Sequence, residues 1–113
     1  MKPQTQNTLH ELLRDRLQTT YDDIANFCDR WNITELALFG SVLRDDFRPE
    51  SDIDILVTYQ PAHHLRWRDW LAAQNELEQM FGRNVDIVEK ALLTNPYRQA
   101  EILKTHQVIY TDE

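Results

Sequence analysis

The run DIDILVTY, residues 52–59, sets two acids inside a stretch that otherwise asks to be buried. Side chains alternate across a strand, so Asp52 and Asp54 share one face while Ile53, Ile55 and Val57 share the other. The apolar side anchors the strand in a core. On the acidic side two like charges repel, and each raises the pKa of the other. That side is either open to water or the place where a divalent cation sits between the carboxylates.

The flanking sequence supplies the remaining elements. Residues 8–31 read as helix in two pieces. Thr8 and Glu11 form a capping box, Leu9, Leu12, Leu13 and Leu17 fall on one face, and Tyr21, Ile24, Phe27, Cys28 and Trp31 continue the pattern after a break at Thr19–Thr20. ELALF, 35–39, suits a short buried strand ended by Gly40, and SVLRDDF a helical turn stopped by Pro49. The strand 52–59 closes at Pro61. Residues 62–81 form a helix with Trp67, Trp70, Leu71, Leu77 and Phe81 on one face, and Gly82 stands where a left-handed cap is expected. NVDIVE, 84–89, is a third strand. Asn95–Pro96 opens a helix that runs to about Lys104, with Pro at the first helical position. QVIY, 107–110, adds a last strand. This order predicts an α/β (α+β) fold, a small mixed sheet flanked by helices, in a single domain of residues 1–113 with 1–31 as an N-terminal helical segment.

Length and charge narrow the function. A chain of 113 residues suffices for one core. A net charge of −7 argues against a general nucleic-acid binder, yet it allows a small anionic ligand held by local groups and cations. No apolar run approaches the roughly 20 residues that cross a bilayer. The N-terminus lacks the apolar stretch of a signal peptide, which places the chain in the cytoplasm. The lone Cys28 forms no internal disulfide and reads as a buried thiol. His63 and His64, with no second spaced pair or nearby Cys, read as solvated helix-start residues. His10 and His106 carry no site signal. Trp67 and Trp70 read as packing rather than as a nucleotide-stacking surface.

The carboxylates gain meaning from what surrounds them. Asp86, inside VDIV, reaches the same face if strand 84–89 lies beside strand 52–59, whereas Glu89 has the opposite parity and points away. Gly40–Ser41 follows one strand and opens a helical turn. Glycine lets backbone approach a phosphate closely, Ser41 adds a hydroxyl, and amides at a helix start attract anions. Arg44 adds positive charge. Alone, each element is ordinary: a turn, a solvated arginine, an exposed polar face. Their order is what matters: strand, Gly-Ser, Arg, seven residues, Asp-x-Asp, then an acid on a third strand.

The constellation Gly40-Ser41-x-x-Arg44, Ser51-Asp52-x-Asp54 and Asp86 resembles the minimal nucleotidyltransferases of the DNA polymerase beta superfamily, over about residues 33–110. The resemblance implies that Asp52, Asp54 and Asp86 are catalytic and bind one or two Mg²⁺, with Asp86 also acting as base toward the attacking hydroxyl. It implies that Gly40 and Ser41 hold a nucleoside triphosphate. Arg44 and Ser51 match the extended nucleotide-binding motif. Asp45 departs from it, since glycine is common at that position, and this bears on the shape of the loop. Stand-alone proteins of this kind commonly serve as antitoxins beside HEPN-domain RNase toxins, and some transfer AMP from ATP to a toxin tyrosine with release of pyrophosphate. A HEPN toxin is therefore the implied partner, with ATP as donor and no direct contact to nucleic acid or membrane. Two rival readings stay open. One is a catalytically silent antitoxin that neutralises by binding, against which three carboxylates on one face weigh. The other is a transferase for a small molecule such as an aminoglycoside, against which the lack of an acceptor domain weighs.

Overall fold

The computed structural model describes residues 11–48, 50–61 and 67–112. Residues 11–15 are helical (α1). The chain then runs through α2 (Tyr21–Arg30), β1 (Ile33–Phe39), a 3-10 turn (Gly40–Leu43), β2 (Ile53–Tyr59) and α3 (Trp67–Phe81). It finishes with β3 (Val85–Glu89), a second 3-10 turn (Lys90–Leu92), α4 (Pro96–Thr105) and β4 (Gln107–Thr111). The strands form one sheet in the order β3-β2-β1-β4. β1 is antiparallel to β2 and β4, whereas β2 and β3 run parallel. A parallel pair needs a crossover, and α3 lies in it. The mixed sheet with flanking helices is the architecture that the residue pattern predicts.

Both faces of the sheet are covered, but unequally. Alternation sends Ile53, Ile55 and Val57 of β2 into the larger core, with Ile24 and Phe27 from α2 and Leu77 and Phe81 from α3. Each such fully buried side chain contributes about 1.5–3 kcal/mol. Leu56 points the other way, into a smaller cluster with Ala37, Phe39, Leu93 and Ile102. β1 is central and covered on both sides, so Leu36, Ala37, Leu38 and Phe39 are all buried. Ile33 shares a face with Leu36 despite their odd separation, because an irregularity between Ile33 and Glu35 resets the alternation.

Local chemistry sets the boundaries. The predicted break before α2 is where Thr20 caps the helix, its Oγ1 accepting from the Asp23 amide at 3.2 Å. Gly82 ends α3 at φ +72, and its N–H donates to Glu78 O at 2.8 Å. Cys28 is buried, and burial pushes its thiol up to about 12, so it behaves as a small core residue. Glu76 clasps α3 to α2 by accepting from Trp31 Nε1 at 3.0 Å and pairing with Arg30. Among the described residues no helix is long and apolar enough to cross a membrane.

One apolar assignment differs. Periodicity places Leu71 on the buried face of α3, yet it is 49% exposed. The buried stripe runs through Trp70, Ala73, Leu77, Met80 and Phe81. At about 100° per residue, residue 71 stands about 120° around the helix from Leu77, whereas the other residues of the stripe fall within about 60° of it. Thr8, Leu9, His10, Pro49, His63 and His64 lie outside the described residues, as does the side chain of Trp67.

α4 starts as Asn95–Pro96 predicts, with Pro at the helix start. Asn95 Oδ1 accepts from the amides of Tyr97 at 2.9 Å and Arg98 at 3.1 Å. Removing this cap by Asn95→Ala is expected to lower stability by about 1 kcal/mol. A urea titration reads it, and an unchanged midpoint refutes the cap as the start signal.

Candidate active site

The sheet register brings the acids together. Asp54 sits in β2 between two partners: Phe39 opposes it on β1, and Asp86 is its neighbour in the parallel ladder with β3. Adjacent strands lie about 4.8 Å apart, so Asp54 and Asp86 start from neighbouring positions on one face. Asp52 immediately precedes β2 with the same parity. Asp54 is half-buried, while Asp52 and Asp86 are exposed. Glu89 is on the other face: it pairs with Val57, and its charge, after burial, raises the nearby Tyr59 hydroxyl.

Gly40 closes the other side. β1 ends at Phe39, and the chain turns at once through Gly40 at φ +80 into the 3-10 turn. A Cβ on residue 40 would overlap Asp54 Oδ2 and come within 3.3 Å of Asp54 Cγ. Backbone and carboxylate approach here as only glycine permits. Ser41 follows, its carbonyl accepting from the Arg44 amide at 2.9 Å.

Electrostatics single out Asp54. Its carboxyl is pushed above the ordinary 3.8, first by burial, then by the charges of Asp86 and Asp52. Arg98 and Arg44 pull it partly back. Arg98 was not foreseen. It is exposed on α4 one turn before Ile102, on the same side of the helix, and Ile102 packs with Leu56 and Phe39. In the sequence it reads as one more helical arginine; only the packing of α4 on the acidic face reveals it.

Carboxylate oxygens are donors suited to a hard cation such as Mg²⁺. Among the described residues no three or more His, Cys, Asp or Glu side chains are grouped so as to hold an ion alone. Mg²⁺ is usually held by one or two carboxylates together with substrate phosphates and water. Asp54 and Asp86, side by side with their like charge only partly offset by Arg98 and Arg44, fit an ion that arrives with a nucleotide.

The remaining sequence candidates lie along the loop that joins these parts. Arg44 is exposed and pairs with Asp46 at 3.2 Å. Ser51 is engaged within the loop, its Oγ accepting from the Arg48 amide at 3.1 Å. Asp45 is exposed.

Known proteins share this fold. A protein of Methanocaldococcus jannaschii, named as a candidate protein adenylyltransferase, is 34% identical over 74 residues, 66% of this chain and 74% of that one. A solved protein named as a candidate minimal nucleotidyltransferase is 29% identical with a TM-score of 0.62, covering 76% of this chain and 85% of its own. A chain from the complex of tri-AMPylated Shewanella oneidensis HEPN toxin with MNT antitoxin shares the fold at 18% identity and a TM-score of 0.58, covering 80% and 69%. The family described as nucleotidyltransferase domain matches residues 24–109. The match runs from α2 into β4, and the chain therefore belongs to the nucleotidyltransferase domain family.

Proposed function

We propose that this chain is a cytoplasmic antitoxin that transfers AMP from ATP to a tyrosine hydroxyl of a partner HEPN RNase toxin. The observation that carries the reading is the placement of Asp54 between the Gly40 turn and Asp86 on one face of the sheet. The relatives named as protein adenylyltransferases and the AMPylated toxin complex supply the acceptor class. Residues 33–110 form the catalytic core, and 1–31 are an N-terminal addition within one domain.

In this reading Gly40 and Ser41 seat the triphosphate beside Asp54. Asp54 and Asp86, with Asp52 beside them and the triphosphate oxygens as further ligands, would hold Mg²⁺, which would neutralise phosphate charge and polarise the α-phosphorus. Asp86, exposed at the rim, takes the proton of the attacking tyrosine oxygen. That oxygen bonds to the α-phosphorus as the bond to the bridging oxygen breaks and pyrophosphate leaves. Arg44 and Arg98 lie where they offset the charge that collects on the acidic face. Ser51 shapes the loop into Asp52.

Incubation with α-labelled ATP, Mg²⁺ and the product of the neighbouring gene should place label on that protein. Asp52→Asn and Asp86→Asn should each remove it. Tight complex formation by both variants, with no label from the wild type under any condition, overturns catalysis in favour of binding alone. Label on a small-molecule acceptor overturns the protein acceptor.

A further inference from the structure

The segment between the Gly40 turn and Asp52 has little regular structure of its own. After the 3-10 turn its backbone bonds are Phe47 N to Arg44 O at 3.4 Å and Ser51 N to Arg48 O at 3.0 Å. Two arginines from elsewhere in the chain reach into it. Arg16, just past α1, donates from one nitrogen, Nη1, to Val42 O and Arg44 O, both at 2.7 Å. Arg83, just past α3, donates from Nη1 to Arg48 O at 2.9 Å and Ser51 O at 3.1 Å. Between them lies Phe47. The Arg16 and Arg83 guanidinium carbons sit 5.4 and 4.4 Å from its ring centroid, and Phe47 packs on the larger core.

The arrangement divides the segment in two. Arg16 grips the carbonyls of the turn that follows Gly40; Arg83 grips those that lead into Asp52. Hydrogen bonds from a charged donor are the stronger kind, and an aromatic face adds attraction for the same cation. In a trans peptide the C=O and N–H point in opposite directions, so gripping two carbonyls from the α1 side fixes how the turn presents its amides. Arg16 also precedes residue 24, where the family match begins, so this contact comes from outside the matched span.

We propose that Arg16 and Arg83 are positioning residues: Arg16 sets the nucleotide turn, and Arg83 sets the approach to Asp52. The roles rest on the function proposed above, but the clamp itself is testable without it. In the full chain, Arg16→Met keeps the stem and removes the donors; Arg83→Met does the same at the second site. Hydrogen exchange read by mass spectrometry should show faster exchange at residues 41–45 in the first and 48–52 in the second, with the sheet amides unchanged. Arg16→Met should raise KM for ATP about tenfold with little change in kcat, the size expected for lost charged hydrogen bonds. Arg83→Met should lower kcat about tenfold with little change in KM. Arg16→Lys, which still offers donors to both carbonyls, should recover most of the first loss. Unchanged exchange across 41–52 overturns the proposal. So does faster exchange throughout the sheet with no recovery by Arg16→Lys, which is the mark of a general packing role. A wild-type chain without transfer activity sinks the functional reading alone and leaves the clamp to be judged by exchange.

Discussion

Asp54→Asn is expected to reduce transfer on the order of 10³-fold or more while raising the melting temperature of the free protein. The two effects have one cause. Burial and the charges of Asp86 and Asp52 raise the Asp54 pKa above 3.8. The folded state therefore binds the proton more tightly than the unfolded chain does. The stability this group contributes is full below its unfolded value and is lost as pH rises through the higher folded one. Above that folded value the ionised carboxylate opposes folding. Asparagine keeps the shape and removes the charge. The melting-temperature gap between variant and wild type should widen as pH rises through the folded pKa and then stay level. Melts across that range without nucleotide, beside a labelled-transfer assay, decide it. A variant that melts lower than wild type at neutral pH would contradict the electrostatic account, and one that keeps its activity would remove Asp54 from the chemistry.

Gly40→Ala should damage both the fold and the chemistry. At φ +80 an alanine carries strain of about 1–3 kcal/mol, whatever space surrounds it. For a domain of this size that lowers the melting temperature by roughly 5 °C or more. The new methyl also meets the Asp54 carboxylate, which is the end of a side chain and can swing aside. The fold survives that movement, but the site does not, because Asp54 then no longer stands between the turn and Asp86. Transfer should fall by about 10²-fold or more, with weaker ATP binding. Chemical denaturation and ATP titration read the two losses separately. An alanine variant as stable as wild type would mean that the turn relaxes and that Gly40 is not required by geometry.

The acidic strand was legible because a period of two is a local signal. Ile53, Ile55 and Val57 had to be buried if Asp54 was to face the other way, and they are. Gly82 and Pro96 were legible for the same reason, since a left-handed cap and a helix start are set within a few residues. The side of α3 that meets the core was harder to read. Leu71 and Trp70 are both large and apolar, and only the position of the sheet decides that Ala73 rather than Leu71 lies underneath. Arg16, Arg83 and Arg98 were missed because nothing near them in the chain marks them. Arg16 binds carbonyl oxygens 26 and 28 residues away, and every residue type has a carbonyl. Arg98 acquires a role only when α4 packs over the acidic face.

The unequal covering of the two faces separates what a lineage must keep from what it is free to change. β2 is rooted through Ile53, Ile55 and Val57 in the larger core, so the carboxylates are held from behind. The opposite side rests on fewer buried residues, chiefly Leu93 and Ile102, and leaves Leu92 72% and Tyr97 86% exposed on the segment that carries Arg98. Exposed substitutions of this kind usually alter stability by no more than about 0.5 kcal/mol. Substitutions along this rim are therefore expected to leave the fold standing, whereas a change at Ile53, Ile55 or Val57 would loosen the strand that carries Asp54.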